Sequence, residues 1–213
     1  MSLSGTQLAG GKGKNERVEN DFYATNPLAV KMLLDKLPIP NLDIKKGLLE
    51  PSVGQGHIIE GINSWIHDHA LNNNVDIKKY TTCLDIEDRG YPNTIVQDFL
   101  TYNPDKKFEW IITNPPFSCA TDFVKKGMEL LDDNGRMDLF LKIQFLESTK
   151  RKELFTKYPP KYIYIFRERM ATWNNGCETD NNGKRWATTF CHAWFVWYKN
   201  STTEPIVRWL EKE

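Results

Sequence analysis

The sequence predicts an α/β domain built on a mostly parallel sheet with helices on both faces. Two patterns predict it. Short apolar runs alternate along the chain with segments of helical spacing, and most of those runs end in polar, Gly or Pro residues. At 213 residues the chain is long enough for one buried core. A single domain is expected over residues 16–213, behind a flexible Gly-, Ser- and Lys-rich tail at residues 1–15.

Each element has its own signal. Apolar positions from Leu28 to Leu37 predict a helix stopped by Pro38, and Gly47-Leu48-Leu49-Glu50 a brief strand. Ile58, Ile59, Ile62 and Ile66 share one side of a second helix over residues 57–71, with a turn at residues 72–74. Strands are expected over residues 80–86, 94–99 and 109–113, a helix over 121–131, and an extended apolar run over 137–146. Residues 150–157 read as helical, 162–166 as extended, and 188–198 as extended and aromatic. Trp194 and Trp197 belong to the expected core.

Composition excludes several classes. Hydrophobic residues make up 40% and charged residues 26%, and no apolar run approaches the roughly 20 residues that span a bilayer. Lys plus Arg equals Asp plus Glu at 28 each, so any surface for nucleic acid has to be local. Cys83, Cys119, Cys177 and Cys191 form no C-x-x-C pair and have no His at ligand spacing, which fits reduced thiols in a cytoplasmic protein without a metal site. No signal-peptide pattern opens the chain. His67 and His69 lie on a polar stretch and read as solvent-facing.

Four polar motifs sit where strands end, the place where an open α/β sheet binds ligands. In Glu50-Pro51-Ser52-Val53-Gly54-Gln55-Gly56 the glycines allow a tight turn and close approach of a ligand, and the helix after it offers unpaired N–H groups. A structural turn and a cofactor loop both fit these residues; the longer G-x-G-x-x-G of dinucleotide sites is absent. His57, next in sequence, either lines that loop or simply starts the helix. Asp85-Ile86 ends the next strand, where a carboxylate either is solvated or accepts from two ribose hydroxyls. Asp98-Phe99 follows the third, with a carboxylate able to accept from a ring amine.

The most informative motif is Asn114-Pro115-Pro116-Phe117, after Trp110-Ile111-Ile112-Thr113. Two prolines remove two donors and stiffen the turn. The Asn114 side-chain oxygen and the Pro115 carbonyl can then both accept from one –NH2 group, while Phe117 offers a stacking face to a planar ring. Such a grip draws the amine lone pair out of conjugation.

These motifs, in this order, resemble the N6-adenine DNA methyltransferases of gamma motif order, especially small phage or prophage-type members. Their D/E-P-x-x-G-x-G loop, acidic second strand end, D-F pair and N-P-P-F/Y turn correspond to Glu50–Gly56, Asp85, Asp98-Phe99 and Asn114–Phe117. Asp21-Phe22-Tyr23-Ala24-Thr25-Asn26-Pro27 is similar to the family's D-F-Y-x-T-P-P element, with Asn26 in place of a Pro. The likeness covers most of residues 21–199. It implies a class I methyltransferase sheet of seven strands with an antiparallel last strand, and S-adenosylmethionine as cofactor. It further implies Thr25, Glu50, Gly54 and Gly56 around the methionine moiety, Asp85 on the ribose, and Ile86 and Asp98 on the cofactor adenine, with Phe99 as a neighbouring wall and Tyr23 and Ser52 among the cofactor contacts. No separate target-recognition domain is expected after Lys199.

The expected partner is DNA. Between Lys142 and Lys199 there are 11 Lys or Arg against 5 Asp or Glu. An insertion at residues 167–187 carries Arg167, Arg169, Lys184 and Arg185, which either contact phosphates or decorate a solvated hairpin. Rival substrates are a protein glutamine, whose amide presents the same planar –NH2, and RNA adenine; a non-catalytic nucleic-acid-binding module is the rival outside enzymes.

Overall fold

The computed structural model describes residues 22–37, 46–69 and 76–212. The expected tail, Asp21, Pro38, Leu71 and the turn at residues 72–74 lie outside these residues. In chain order the elements are β1 (Tyr23–Ala24), α1 (Pro27–Lys36), β2 (Leu48–Glu50), α2 (His57–Asp68), β3 (Thr81–Asp85), β4 (Ile95–Val96) and β5 (Phe108–Thr113). Then follow α3 (Ala120–Leu130), β6 (Leu131–Lys142), α4 (Lys152–Lys157), β7 (Tyr162–Phe166), β8 (Trp173–Asn174), β9 (His192–Tyr198) and β10 (Ile206–Leu210). Asn26, where the resembled family often has Pro, caps α1. Its side-chain oxygen accepts from the Leu28 N–H at 3.0 Å, and Pro27 occupies the first turn, where no donor is required.

The main sheet runs β10-β7-β9-β6-β5-β2-β3-β4, and every neighbouring pair is parallel except those made by β9. Strand pleating sorts the core into two faces. Trp110, Ile112, Phe140, Trp194 and Val196 pack with α1 and α2; Ile111, Leu139, Leu141, Phe195 and Trp197 pack with α3 and α4. The chain moves outward from β2 through β3 to β4 and returns to β5 on the other side of β2, which makes the β2–β5 boundary a topological switch point. No helix among the described residues is long and apolar enough to cross a membrane.

Several boundaries differ from the expected ones. The antiparallel strand β9 inserts between β6 and β7, and the edge beyond β7 is taken by β10, a strand for which the sequence carries little signal. The expected strand at residues 94–99 shrinks to Ile95–Val96, because Asp98 accepts from the Leu100 N–H at 2.9 Å and caps a 3-10 turn at Phe99–Thr101. Residues 132–135 belong to β6 instead of closing α3, and the pairing of β6 with β5 shifts register between Phe108 and Trp110. Ile143–Leu146 is a 3-10 turn, and β9 begins only at His192.

A fully buried ion pair staples β6 to β5. Arg136 and Asp138 are 1% and 0% exposed; Arg136 Nε donates to Asp138 Oδ2 at 3.0 Å, its Nη2 lies 2.9 Å from the same oxygen, and Trp110 Nε1 donates to that oxygen at 2.8 Å. Removing one partner strands a buried charge. Asp138→Ala is therefore expected to cost about 3–5 kcal/mol of stability, and Arg136→Met/Asp138→Leu much less, as thermal melts of the two variants would show.

Candidate active site

The carboxyl ends of β3, β2 and β5 converge at the switch point. Leu48 and Leu49 pair with Trp110 and Ile111, so Glu50 stands level with Ile112 and Asn114 lies just beyond it. Glu50 is 1% exposed. Its Oε1 accepts from the Ser52 N–H at 3.1 Å, while Oε2 has no hydrogen-bond partner among the described residues. Burial pushes its carboxyl from 4.5 up to about 8, against the opposing pull of the Thr113 hydroxyl and the Ser52 N–H, with Asp85 adding a small upward push. A second buried orphan stands in the N-terminal motif: Thr25 is 3% exposed and its hydroxyl also lacks a partner among the described residues.

The glycine loop is tied to β3. The Val53 N–H donates to the Leu84 carbonyl at 2.8 Å, and the Gly54 N–H to Asp85 Oδ2 at 2.8 Å. Gly54 and Gly56 adopt φ of +55° and +86°, and a Cβ on either would lie 2.1 Å from the ring of Phe22 or Tyr91, respectively. Asp85 is buried and also receives the Glu87 N–H at 3.2 Å, with the Arg89 guanidinium 3.6 Å away. Arg89 in turn lies over Phe22, 5.0 Å from its centroid. Ile86 is exposed beside Asp85. Asp98 is exposed too, one of its oxygens engaged in the 3-10 cap, whereas Phe99 is a core residue packed on Phe123 at 4.8 Å and offers no open wall.

Asn114 is oriented by the N-terminal motif. Its Nδ2 donates to the Tyr23 carbonyl at 3.0 Å. A carbonyl can only accept, so the amide nitrogen faces Tyr23 and Oδ1 is turned the other way. Phe22 and Tyr23, adjacent in sequence, thus touch Gly54 and Asn114 respectively, which holds the glycine loop and the amide within a dipeptide's reach. Pro115 is buried, and the turn closes on the Pro116 carbonyl, which accepts from the Cys119 N–H at 2.9 Å. Phe117 is 40% exposed.

The expected insertion divides in two. Its first half is built into the site: Tyr23 and Ala24 pair antiparallel with Asn174 and Trp173, the Asn175 N–H donates to the Phe22 carbonyl at 3.0 Å, and Trp173 meets His57 edge-on at 5.5 Å. Its second half is an exposed hairpin carrying Lys184 and Arg185, closed by a Thr179–Arg185 bridge and paired through Arg185 to Glu178 at 3.4 Å. Arg167 and Arg169 lie elsewhere, on a cleft of about 240 Å³ shared with Cys191 and His192; Arg167 also pairs with Glu211. A larger groove of about 390 Å³ lies between α1 and residues 211–212 and holds none of the motif residues.

Three residues of the site carry no obvious sequence signal. The Lys142 ammonium lies 4.7 Å from the Phe117 centroid and 3.5 Å from that of Phe190, and the His192 ring is 6.1 Å from Phe117. His192 Nδ1 donates to the Met170 carbonyl at 2.8 Å, and burial lowers its pKa to about 4, with that carbonyl raising it and the Lys142 and Arg169 cations lowering it further. The ring is neutral at pH 7. Lys142 was within reach of the strand-end rule, but the apolar run predicted through Leu146 hides the true end of β6. His67 has a side chain 90% exposed, and His69 stacks on Trp65 at 4.3 Å. No group of three or more His, Cys, Asp or Glu placed to hold a metal occurs among the described residues.

Neither a protein-family model nor a curated protein matches this sequence. Solved structures do match. A putative class I S-adenosylmethionine-dependent methyltransferase from Listeria monocytogenes superposes with a TM-score of 0.58 at 15% identity, over 97% of this chain and 71% of that one. The methyltransferase subunit of a type I restriction-modification system from Streptococcus thermophilus gives 0.59 at 13% identity, over 92% of this chain and 48% of that one. The M protein of the type I restriction enzyme EcoKI gives 0.54 at 15% identity, over 86% and 45%. The chain has the class I methyltransferase fold and spans about half the length of the latter two.

Proposed function

We propose that the protein transfers a methyl group from S-adenosylmethionine to the exocyclic N6 of adenine in DNA. The observation that carries this reading is the orientation of Asn114, pinned by its nitrogen to Tyr23 so that Oδ1 is offered outward, beside the glycine loop. The cofactor's fit rests on two buried orphans: Glu50 Oε2 suits an ammonium and the Thr25 hydroxyl a carboxylate, which are the two charges of a methionine end. Asp85 would take the ribose hydroxyls, with Ile86 and Asp98 at the adenine. S-adenosylmethionine supplies an electrophilic methyl when bound.

The chain's own residues then align and polarise. Asn114 Oδ1 and the Pro115 carbonyl accept the two amine hydrogens, Phe117 stacks on the ring, and the nitrogen lone pair turns toward the donor. The N–C bond forms as the S–C bond breaks, the amine proton leaves to water, and no covalent enzyme intermediate is required. A paired adenine has to leave its duplex to reach Phe117. Arg167 and Arg169 on the cleft beside His192, and Lys184 and Arg185 on the outer hairpin, are the proposed phosphate contacts.

The test is direct. Purified protein is incubated with methyl-labelled cofactor and, separately, DNA, RNA and a protein extract, and the labelled atom is identified. Label in N6-methyladenine of DNA is the expected result. Label confined to protein glutamine or to RNA overturns the substrate.

A further inference from the structure

Phe117 and Phe190 both lie within cation–π distance of a single ammonium. With the Lys142 Nζ at 4.7 and 3.5 Å from their centroids, the two rings can be no more than about 8 Å apart. The lysine therefore stands over the face of Phe117, where a base stacked on that ring would lie. Both rings attract a cation at those distances.

We propose that Lys142 is the phosphate-positioning residue of the target nucleotide, parked against the two rings until a base takes its ammonium's place. The inference rests on the adenine reading of the Asn114 turn. Lys142 is half-buried at the carboxyl end of β6, on a flexible four-carbon stem, so an ammonium displaced from Phe117 stays within reach of the sugar-phosphate of whatever displaced it. Two further cations, Arg167 and Arg169, line the cleft beside the neighbouring His192, together with one acid, Glu168. Phe190 is presented by a short turn before β9, where its N–H donates to the Thr188 hydroxyl at 3.1 Å.

The experiment uses deoxyadenosine and deoxyadenosine monophosphate as probes, titrated by NMR into protein saturated with S-adenosylhomocysteine, which keeps both out of the cofactor pocket. Wild type is expected to bind the monophosphate about tenfold more tightly than the nucleoside, the size of one charge-assisted contact. Lys142→Met should abolish that preference without weakening the nucleoside, and Lys142→Arg should keep it. Absence of a preference in wild type, or the same preference in Lys142→Met, overturns the proposal, the latter moving the anchor to another cation such as Arg169. Failure of both probes to bind overturns it as well. Deoxycytidine monophosphate separates this proposal from the adenine reading: equal binding that still depends on Lys142 keeps the lysine's role and removes the base assignment.

Discussion

Asn114→Ala is expected to lower the rate of methyl transfer by about 10²–10³-fold, the usual loss when one preorganised polar contact to the reacting group is deleted. The reason lies in how the amide is held. Tyr23 fixes the nitrogen end of Asn114, so the oxygen end is aimed before any substrate arrives and no reorganisation is needed at the moment of reaction. Pro115 keeps its own carbonyl, which leaves a residual rate. Cofactor affinity should stay within about twofold, since the proposed cofactor contacts at Thr25, Glu50 and Asp85 belong to other turns. Asn114→Asp is a sharper probe: it retains an oxygen but presents a carboxylate to the Tyr23 carbonyl, acceptor against acceptor, so the side chain has to turn away. Single-turnover rates with labelled cofactor, paired with calorimetric cofactor binding, separate the two effects. If cofactor affinity falls together with the rate, Asn114 holds β1 in place and is not part of the chemistry.

What was legible in the sequence follows from the range of each interaction. The ends of β2, β3 and β5 are marked by local residues, because a turn that leaves a buried strand needs Gly, Pro or Asp within a few positions. Those strand ends also hold most of the candidate site, so Glu50, Gly54, Asp85 and Asn114 could be named before any coordinates. Elements stabilised from far along the chain were hidden. β10 buries only Leu210 among its five residues and owes its place to pairing with β7, more than forty residues earlier. The β1–β8 ribbon joins Tyr23 to Asn174, and neither dipeptide has a strand signal of its own. The same holds inside the site: Phe22 over Gly54, Tyr23 against Asn114, and Lys142 against Phe117 and Phe190 are juxtapositions of topology, and residue types at spacings do not encode them.

Glu50→Gln is expected to strengthen the fold and weaken cofactor binding at once. Burial holds the Glu50 carboxyl at about 8 in the folded chain, above its ordinary 4.5. A raised carboxyl keeps its proton in the folded state when the unfolded chain has released it. Its contribution to stability is therefore fully present below pH 4.5, is lost progressively as pH rises, and has gone once pH passes about 8. At 1.36 kcal/mol per unit the loss is on the order of 3–5 kcal/mol at most. Glutamine is a neutral isostere that can still accept from the Ser52 N–H, so the variant should melt close to wild type near pH 4.5 and well above it at pH 8–9. Function pulls the other way, because an ammonium in the pocket requires the carboxylate. Wild-type affinity for S-adenosylmethionine should rise from pH 6 toward 8 with release of a proton, measurable as a dependence of the binding enthalpy on the buffer. It should stop rising as the ligand's own amine deprotonates near 8. Loss of that charge-assisted contact in Glu50→Gln is expected to weaken binding by about 10- to 100-fold and to flatten the pH profile. A variant that binds the cofactor as tightly as wild type would show that Glu50 is a buried structural acid and that the ammonium, if one binds here, is held by another group.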